Sequence, residues 1–181
     1  MLKPETISVL AELIVDGNDI QAYGAECLAR CALGSPNLVK LSLERNGIGP
    51  KGACVFANVI GGQDETDTMS SLTYLNINRQ TKGKKIGESG ASELAHALRH
   101  EHCKIKTLKI GRNNIGFEGI RHISATLFVN ASLTDLDVGG INYFTIAGAV
   151  QLAQATENNQ HLKYLTVGDF RLPVMEGIPR G

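Results

Sequence analysis

The densest set of reactive side chains in this sequence is the run HALRHEHC, which carries His96, His100, His102 and Cys103. His96 and His100 stand four apart, a spacing that puts two imidazoles on one helical face, and Cys103 follows, so a zinc site is one reading. The other is a helix end opening into a loop, where the helix dipole favours His and Arg. Metal binding needs a ligand set that closes around the ion, and a solvated helix end does not. The expectation is therefore no metal. Asp135 and Asp137 form a second pair, but on an alternating strand both face the same open side. General acid–base work needs an enclosed site with shifted pKa values. The sequence contains no G-x-S-x-G elbow, no G-x-x-x-x-G-K-[ST] loop and no H-E-x-x-H helix. It reads as a chain that is not an enzyme and has no cofactor.

Composition narrows the classes further. Of 181 residues, 43% are hydrophobic and 20% charged, the balance of a folded soluble chain. Lys plus Arg equals Asp plus Glu, 18 against 18, which argues against a dedicated nucleic-acid binder or a membrane-surface protein. The first residues lack the apolar run of a secretory signal, and no stretch approaches the ~20 apolar residues of a membrane span. A cytoplasmic address is expected. Cys27, Cys31, Cys54 and Cys103 form no C-x-x-C pair and read as buried apolar groups or inert thiols.

One frame organises the chain: L-x-x-L-x-L-x-x-N-x-I, a glycine four residues on, then an apolar helix. Leu10, Leu13, Val15, Asn18, Ile20 and Gly24 make the first copy, and Leu38, Leu41, Leu43, Asn46, Ile48 and Gly52 the second. The third has Leu72, Leu75 and Ile77, Gln80 at the asparagine position, and Ile86 and Gly90 after an insertion. Ile105, Leu108, Ile110, Asn113, Ile115 and Gly119 make the fourth. The fifth, Leu133, Leu136 and Val138, has Asn142 and Gly148 displaced by one. The sixth, Leu162, Leu165 and Val167, has Phe170 where asparagine belongs. The L-x-L alternation buries one side of a short strand. Asn18, Asn46, Asn113 and Asn142 read as turn amides that bond the backbone where the strands end. Helices are expected over about Gln21–Leu33, Gly49–Ile60, Gly87–Arg99, Phe117–Val129 and Thr145–Glu157. The helical spacing of Pro4–Ile14 competes with the first strand.

On the segments NLVKLSLERNGIGPKGACVFANVI and IKTLKIGRNNIGFEGIRHISATL, the chain resembles the leucine-rich-repeat family in its ribonuclease-inhibitor-like subclass. The resemblance runs over roughly residues 10 to 172. It implies a right-handed α/β solenoid, a short horseshoe of about six repeats with a parallel sheet on the concave face and helices on the convex face. Residues 1–181 form one domain in this reading, with repeats starting near 10, 38, 72, 105, 133 and 162. Strands pack ~4.8 Å apart and helices ~8–10 Å, so such a stack must curve with its sheet inside.

The register then predicts the concave face. The third residues of the copies are Glu12, Lys40, Tyr74, Thr107, Asp135 and Tyr164. The fifth are Ile14, Ser42, Asn76, Lys109, Asp137 and Thr166, and the eighth are Gly17, Arg45, Arg79, Arg112, Gly140 and Asp169. Three arginines fall in three successive repeats, with acidic residues towards both ends. Like charges ~5 Å apart in water repel by roughly 0.8 kcal/mol, which Glu44 can offset and an acidic partner would relieve. One reading makes Lys40, Arg45, Tyr74, Arg79, Lys109, Arg112, Asp135, Asp137 and Tyr164 a protein-binding surface, because Arg and Tyr are enriched at interface hot spots. The other is a solvated sheet with inter-repeat ion pairs. The basic run Arg79, Lys82, Lys84 and Lys85 reads as a solubilising loop, and the insertions 61–71 and 81–84 as surface loops. The functional expectation is a protein-interaction module with an unidentified protein partner. The alternatives are a regulator of a small GTPase, since the repeat type resembles that of the Ran GTPase-activating proteins, or a fragment of a larger receptor or effector.

Overall fold

The computed structural model describes residues 9–62, 70–81, 83–140 and 145–168, and the backbone of 170–173. Asn142, Lys82, Asp169, Pro4–Ser8 and most of the 61–71 insertion lie outside the described residues. Six short strands run parallel in chain order: β1 (Glu12–Ile14), β2 (Lys40–Ser42), β3 (Tyr74–Asn76), β4 (Thr107–Lys109), β5 (Asp135–Asp137) and β6 (Tyr164–Val167). Each pairs with the next at the repeat register, so Leu13, Leu41, Leu75, Leu108, Leu136 and Leu165 form one row. The four inner members of that row are fully buried, and the outer two are partly covered. Glu12–Ile14 is thus strand, and the competing helical pattern does not reach it.

Between strands run α1 (Gln21–Leu33), α2 (Gly49–Gly61), α3 (Gly87–Ala97), α4 (Gly116–Leu127) and α5 (Ile146–Asn158). α3 and α4 end two residues before the expected Arg99 and Val129, in final turns whose carbonyls bond Arg99 and Val129 N–H groups locally. The motif glycine at the start of each helix has a packing reason. A Cβ on Gly52 would stand 2.6 Å from Ile48 Cβ and 3.2 Å from Ala25 Cβ, and one on Gly90 would stand 2.9 Å from Ala53 Cβ and clash with Ile86. Gly119 likewise stands against Ala91, so the first three helix junctions each close on a glycine–alanine contact.

The strands are three or four residues long, so the backbone beyond them must be paired by other means. A buried amide does this. Asn46 Nδ2 donates to the Val15 and Glu44 carbonyls at 2.9 and 3.2 Å, and its Oδ1 accepts from Asn18 and Ile20 N–H at 2.8 and 3.3 Å. Gln80 repeats this one rung on. Its Oε1 accepts from Asn46 and Ile48 N–H at 3.2 and 3.0 Å, and its Nε2 donates to the Leu43, Ile77 and Asn78 carbonyls. Asn113 Oδ1 accepts from Gln80 N–H at 3.1 Å, and Nδ2 donates to Ile77, Ile110 and Gly111. Asn18, in the first repeat, is exposed and bonds only its own turn through Nδ2. A second, unexpected amide series lies at the other end of the helices. Asn130 bonds Leu98 O, Ser132 N and Leu133 N, while Asn159 bonds Leu127 O, Asn130 O, His161 N and Leu162 N.

The sheet has one more strand than the repeat count. β7 (Phe170–Pro173) pairs antiparallel with β6, Val167 opposite Phe170. The sixth copy lacks an asparagine to extend the amide series, and Gly168 (φ 73°) opens a two-residue hairpin instead. The chain folds back over the last parallel edge.

The amide series yields a graded expectation. Asn113→Ala leaves the Gln80 N–H and three carbonyls short of a buried partner and should lower unfolding free energy by about 3 kcal/mol. Asn18→Ala, exposed and at the end of the array, should lower it by less than ~1 kcal/mol. Urea denaturation of both variants measures the difference, and equal losses would contradict the ladder.

Candidate functional site

The concave face is assembled by strand register alone. Glu12, Lys40, Tyr74, Thr107, Asp135 and Tyr164 stand opposite one another in sequence, as do Ile14, Ser42, Asn76, Lys109, Asp137 and Thr166. Lys40 Nζ is 2.8 Å from Glu12 Oε2 and 5.4 Å from the Tyr74 ring centre. Lys109 Nζ lies 5.6 Å from the same ring, so Tyr74 sits between two cations. The Glu12 carboxylate raises the Lys40 pKa, first by its hydrogen bond and then by its charge. Tyr164 and Asp135 face each other at the far side of the row.

The arginines sit one step beyond the strands. Arg45, Arg79 and Arg112 are all exposed, and Glu44 lies between the first two, with its Oε1 3.5 Å from Arg45 Nε and 3.7 Å from Arg79 Nε. Two fifth-row residues expected on the open face are instead buried. Ser42 Oγ donates to Asp16 Oδ1 at 2.6 Å, and Asn76 Nδ2 donates to Ser42 Oγ at 3.0 Å and to Glu44 Oε2 at 3.4 Å. Asp137 is held too. Its Oδ2 accepts from Asn78 Nδ2 at 2.7 Å and its Oδ1 from Gly139 N–H at 2.9 Å, while Asn78 Oδ1 accepts from Gly111 N–H at 2.6 Å.

Asp16, Glu44 and Asn78 share the seventh position of the copies, and that row supplies most of the side-chain bonds tying the face together. The sequence signal for it is the row itself, one step before the arginines. A shallow cleft of ≈180 Å³ opens there, lined by Asn78, Arg79, Gly111, Arg112, Asp137, Gly139, Thr166 and Gly168. Its walls carry guanidinium, amide and carboxylate groups, which suit polar recognition.

The other chemistry candidates resolve differently. His96 and His100 meet edge to face with ring centres 5.3 Å apart, and among the described residues no three metal-ligating side chains come together. The run Gly47–Ile48–Gly49–Pro50–Lys51–Gly52 has the G-x-G-x-x-G spacing of a dinucleotide-binding loop. Its first glycine lies five residues past the end of β2, and Gly52 serves the packing of α2 on α1, so it is a repeat turn. Cys27, expected to be buried or inert, is exposed, because α1 has no helix on its outer side among the described residues.

Cys103 is the buried thiol, and burial pushes its pKa up. Its unfolded form ionises first as pH rises, so the stability tied to this thiol is complete at neutral pH and is lost above ~8.5. Alkylation of the native protein with iodoacetamide at pH 8 should label Cys27 first and Cys103 last, read by peptide mass mapping. Equal rates would show that Cys103 is open to solvent.

Comparison with known proteins agrees with this architecture. A leucine-rich-repeat family model matches residues 34–57 and 101–124. The chain is 25% identical over 175 residues to mouse NACHT, LRR and PYD domains-containing protein 12, covering 84% of this chain and 16% of that protein. It is 30% identical over 119 residues to RAN GTPase-activating protein 2 of Arabidopsis thaliana, covering 66% and 20%. It is 27% identical over 158 residues to the ribonuclease inhibitor of Sus scrofa, covering 77% and 34%. The chain thus spans about a third or less of the length of these relatives. Among solved structures, the Caenorhabditis elegans tropomodulin C-terminal domain superposes with a TM-score of 0.62 at 16% identity, covering 87% of this chain and 93% of that one. Leiomodin-1 actin-binding site 2 gives 0.52 at 16% identity, covering 91% and 76%. With the six-strand register, the turn amides and these matches together, the chain is a leucine-rich-repeat α/β solenoid, similar to the ribonuclease-inhibitor-like subclass of that family.

Proposed function

We propose that the chain is a non-catalytic protein-interaction module that binds a protein partner, in the cytoplasm, through its concave sheet and the adjoining loops. The observation that carries this reading is the continuous row of amphipathic side chains across successive repeats. Tyr74 lies between Lys40 and Lys109, and the arginine series follows one step on. Tyr74, Lys40 and Lys109 are fixed by strand register and the arginines by the turns that the buried amides hold, so the backbone of the face is preorganised and little backbone ordering entropy remains to be lost on binding. Tyrosine and arginine bring large contact area and directional hydrogen bonds.

A second reading, regulation of a small GTPase, is favoured by the similarity to RAN GTPase-activating protein 2. That match covers a fifth of the relative's length, so whatever the whole protein does need not reside in these repeats. In either reading, residues on this face make the partner contact.

A pull-down from cytosol comparing the wild type with Arg45→Glu/Arg79→Glu/Arg112→Glu tests the proposal. All three side chains are exposed, but reversing Arg45 and Arg79 removes the partners of Glu44, so the variant should melt somewhat lower and is compared with the wild type at a temperature where circular dichroism shows both folded. A specific partner should be captured by the wild type and lost by the variant. Retention of the same partner at equal strength would place binding off the concave face. Stimulated GTP hydrolysis by a captured GTPase would favour the second reading over the first.

A further inference from the structure

The two ends of the sheet are finished differently. At one end β7 folds back on β6, and its Pro173 has no N–H to offer a further strand. At the other, β1 is an open edge. Ala11 O, Val15 N–H and Gly17 N–H bond β2, so strand alternation turns the N–H and C=O groups of Glu12 and Ile14 outward. In β2 the matching groups are used. Lys40 N–H donates to Ala11 O, and Ser42 O accepts from Val15 N–H. β1 also carries none of the devices that blunt an edge, having no proline, no lysine and no bulge.

The helix behind this edge tells the same story. Gly24, Cys27, Leu28 and Cys31 of α1 hold the repeat positions of Gly52, Val55, Phe56 and Val59 in α2. In α2 that stripe begins on the Gly52–Ala25 contact with α1, and Phe56 and Val59 are buried. In α1 it has no helix against it among the described residues. Cys27 is exposed, and Gly24, Leu28 and Cys31 are half-buried. Leu13, Val15 and Ile20 are likewise only partly covered, where Leu41, Leu43 and Ile48 are fully buried. A solenoid that ends in water needs a polar outer face on its terminal repeat, and this one presents glycine, cysteine and leucine. The charges bordering the face are paired within the chain. Lys40 holds Glu12, Arg30 holds Glu26, and Asp16 accepts from Ser42 Oγ and Glu44 N–H. An identical surface can therefore approach without bringing unpaired like charges together.

We propose that this end is a self-association face, where β1 pairs antiparallel with β1 of a second copy about a two-fold axis and α1 packs on its counterpart. An axis at Leu13 sets Glu12 of each copy opposite Ile14 of the other. Those are the residues whose backbone groups point outward, and no carboxylate then stands directly opposite its own copy. Head-to-tail addition would need an open strand at the far end, which β7 closes, so the association is isologous and stops at a dimer. One sheet runs through both copies, and both concave faces open on the same side. Nothing in this pairing depends on what the concave face binds.

Sedimentation velocity over a concentration series tests it, on the wild type, Ile14→Pro, Cys27→Lys and Val150→Lys. Ile14→Pro removes an outward N–H and no bond to β2, while Cys27→Lys sets a charge on each α1 at the junction. Both positions are exposed, so circular dichroism should show each variant folded. Val150, exposed on α5 at the opposite end, is the control. The wild type and the control should form a dimer, and each edge variant should raise its dissociation constant at least roughly tenfold. Alkylation of Cys27 should slow as the wild type is concentrated, because the dimer covers it. A wild type that stays monomeric at every concentration would overturn the proposal. So would a dimer that the edge variants leave intact, one that Val150→Lys weakens equally, or a Cys27 rate indifferent to concentration. Growth beyond a dimer would overturn the two-fold pairing. If Ile14→Pro does not fold, Cys27→Lys and the Cys27 rate decide.

Discussion

Every strand in this sheet is three or four residues long, too short to carry the chain from one repeat to the next on strand pairing alone. What makes such short strands sufficient is the buried amide at the turn. Asn46, Gln80 and Asn113 each accept from or donate to backbone in their own repeat and the neighbouring one, so three side chains pair the polar groups of three consecutive turns. An unpaired backbone group in that dry interior would be expensive, and the amide is the side chain with both donor and acceptor in reach. Strand register, and with it the concave face, follows from this.

The geometry of the face is inherited from that constraint. Because the amide fixes each turn, the residue just before it is fixed too, and there the array carries arginine at a position suited to glycine. The buried amide and the exposed arginine are thus immediate neighbours in sequence. Asn46, Gln80 and Asn113 point inward and are buried, whereas Arg45, Arg79 and Arg112 point outward and are exposed.

Most of the architecture is legible in the sequence because the repeat states it several times over. Six strands, five helices and the rows of facing residues follow from the leucine spacing, and helix ends agree within about two residues. Features that depend on one copy are harder to read. β7 departs from the frame because a hairpin forms where the amide is missing, which no repeat average contains. The burial of Ser42 and Asn76 depends on which neighbours can reach across repeats, a matter of side-chain length rather than of alternation. Asn130 and Asn159 lie outside the leucine frame, in helix-to-strand connections whose lengths vary, so the frame gives no sign of their bonds. Asn78 is hidden for a simpler reason, since charge draws attention to its row only at Asp16 and Glu44.

Gln80 carries one methylene more than the asparagines above and below it. That extra reach lets the rung be made although the chain beyond it contains four added residues, and Lys84 supplies to Gly49 N–H the carbonyl contact that Asn46 and Asn113 supply to Gln21 and Gly87. Length variation at this loop is thereby uncoupled from strand alignment. The third repeat is consequently a natural port for new sequence: segments exchanged between Thr81 and Lys84 would alter the rim of the groove without shifting its floor. A lineage, or an engineer, can revise what this array recognises there while the scaffold itself goes unedited.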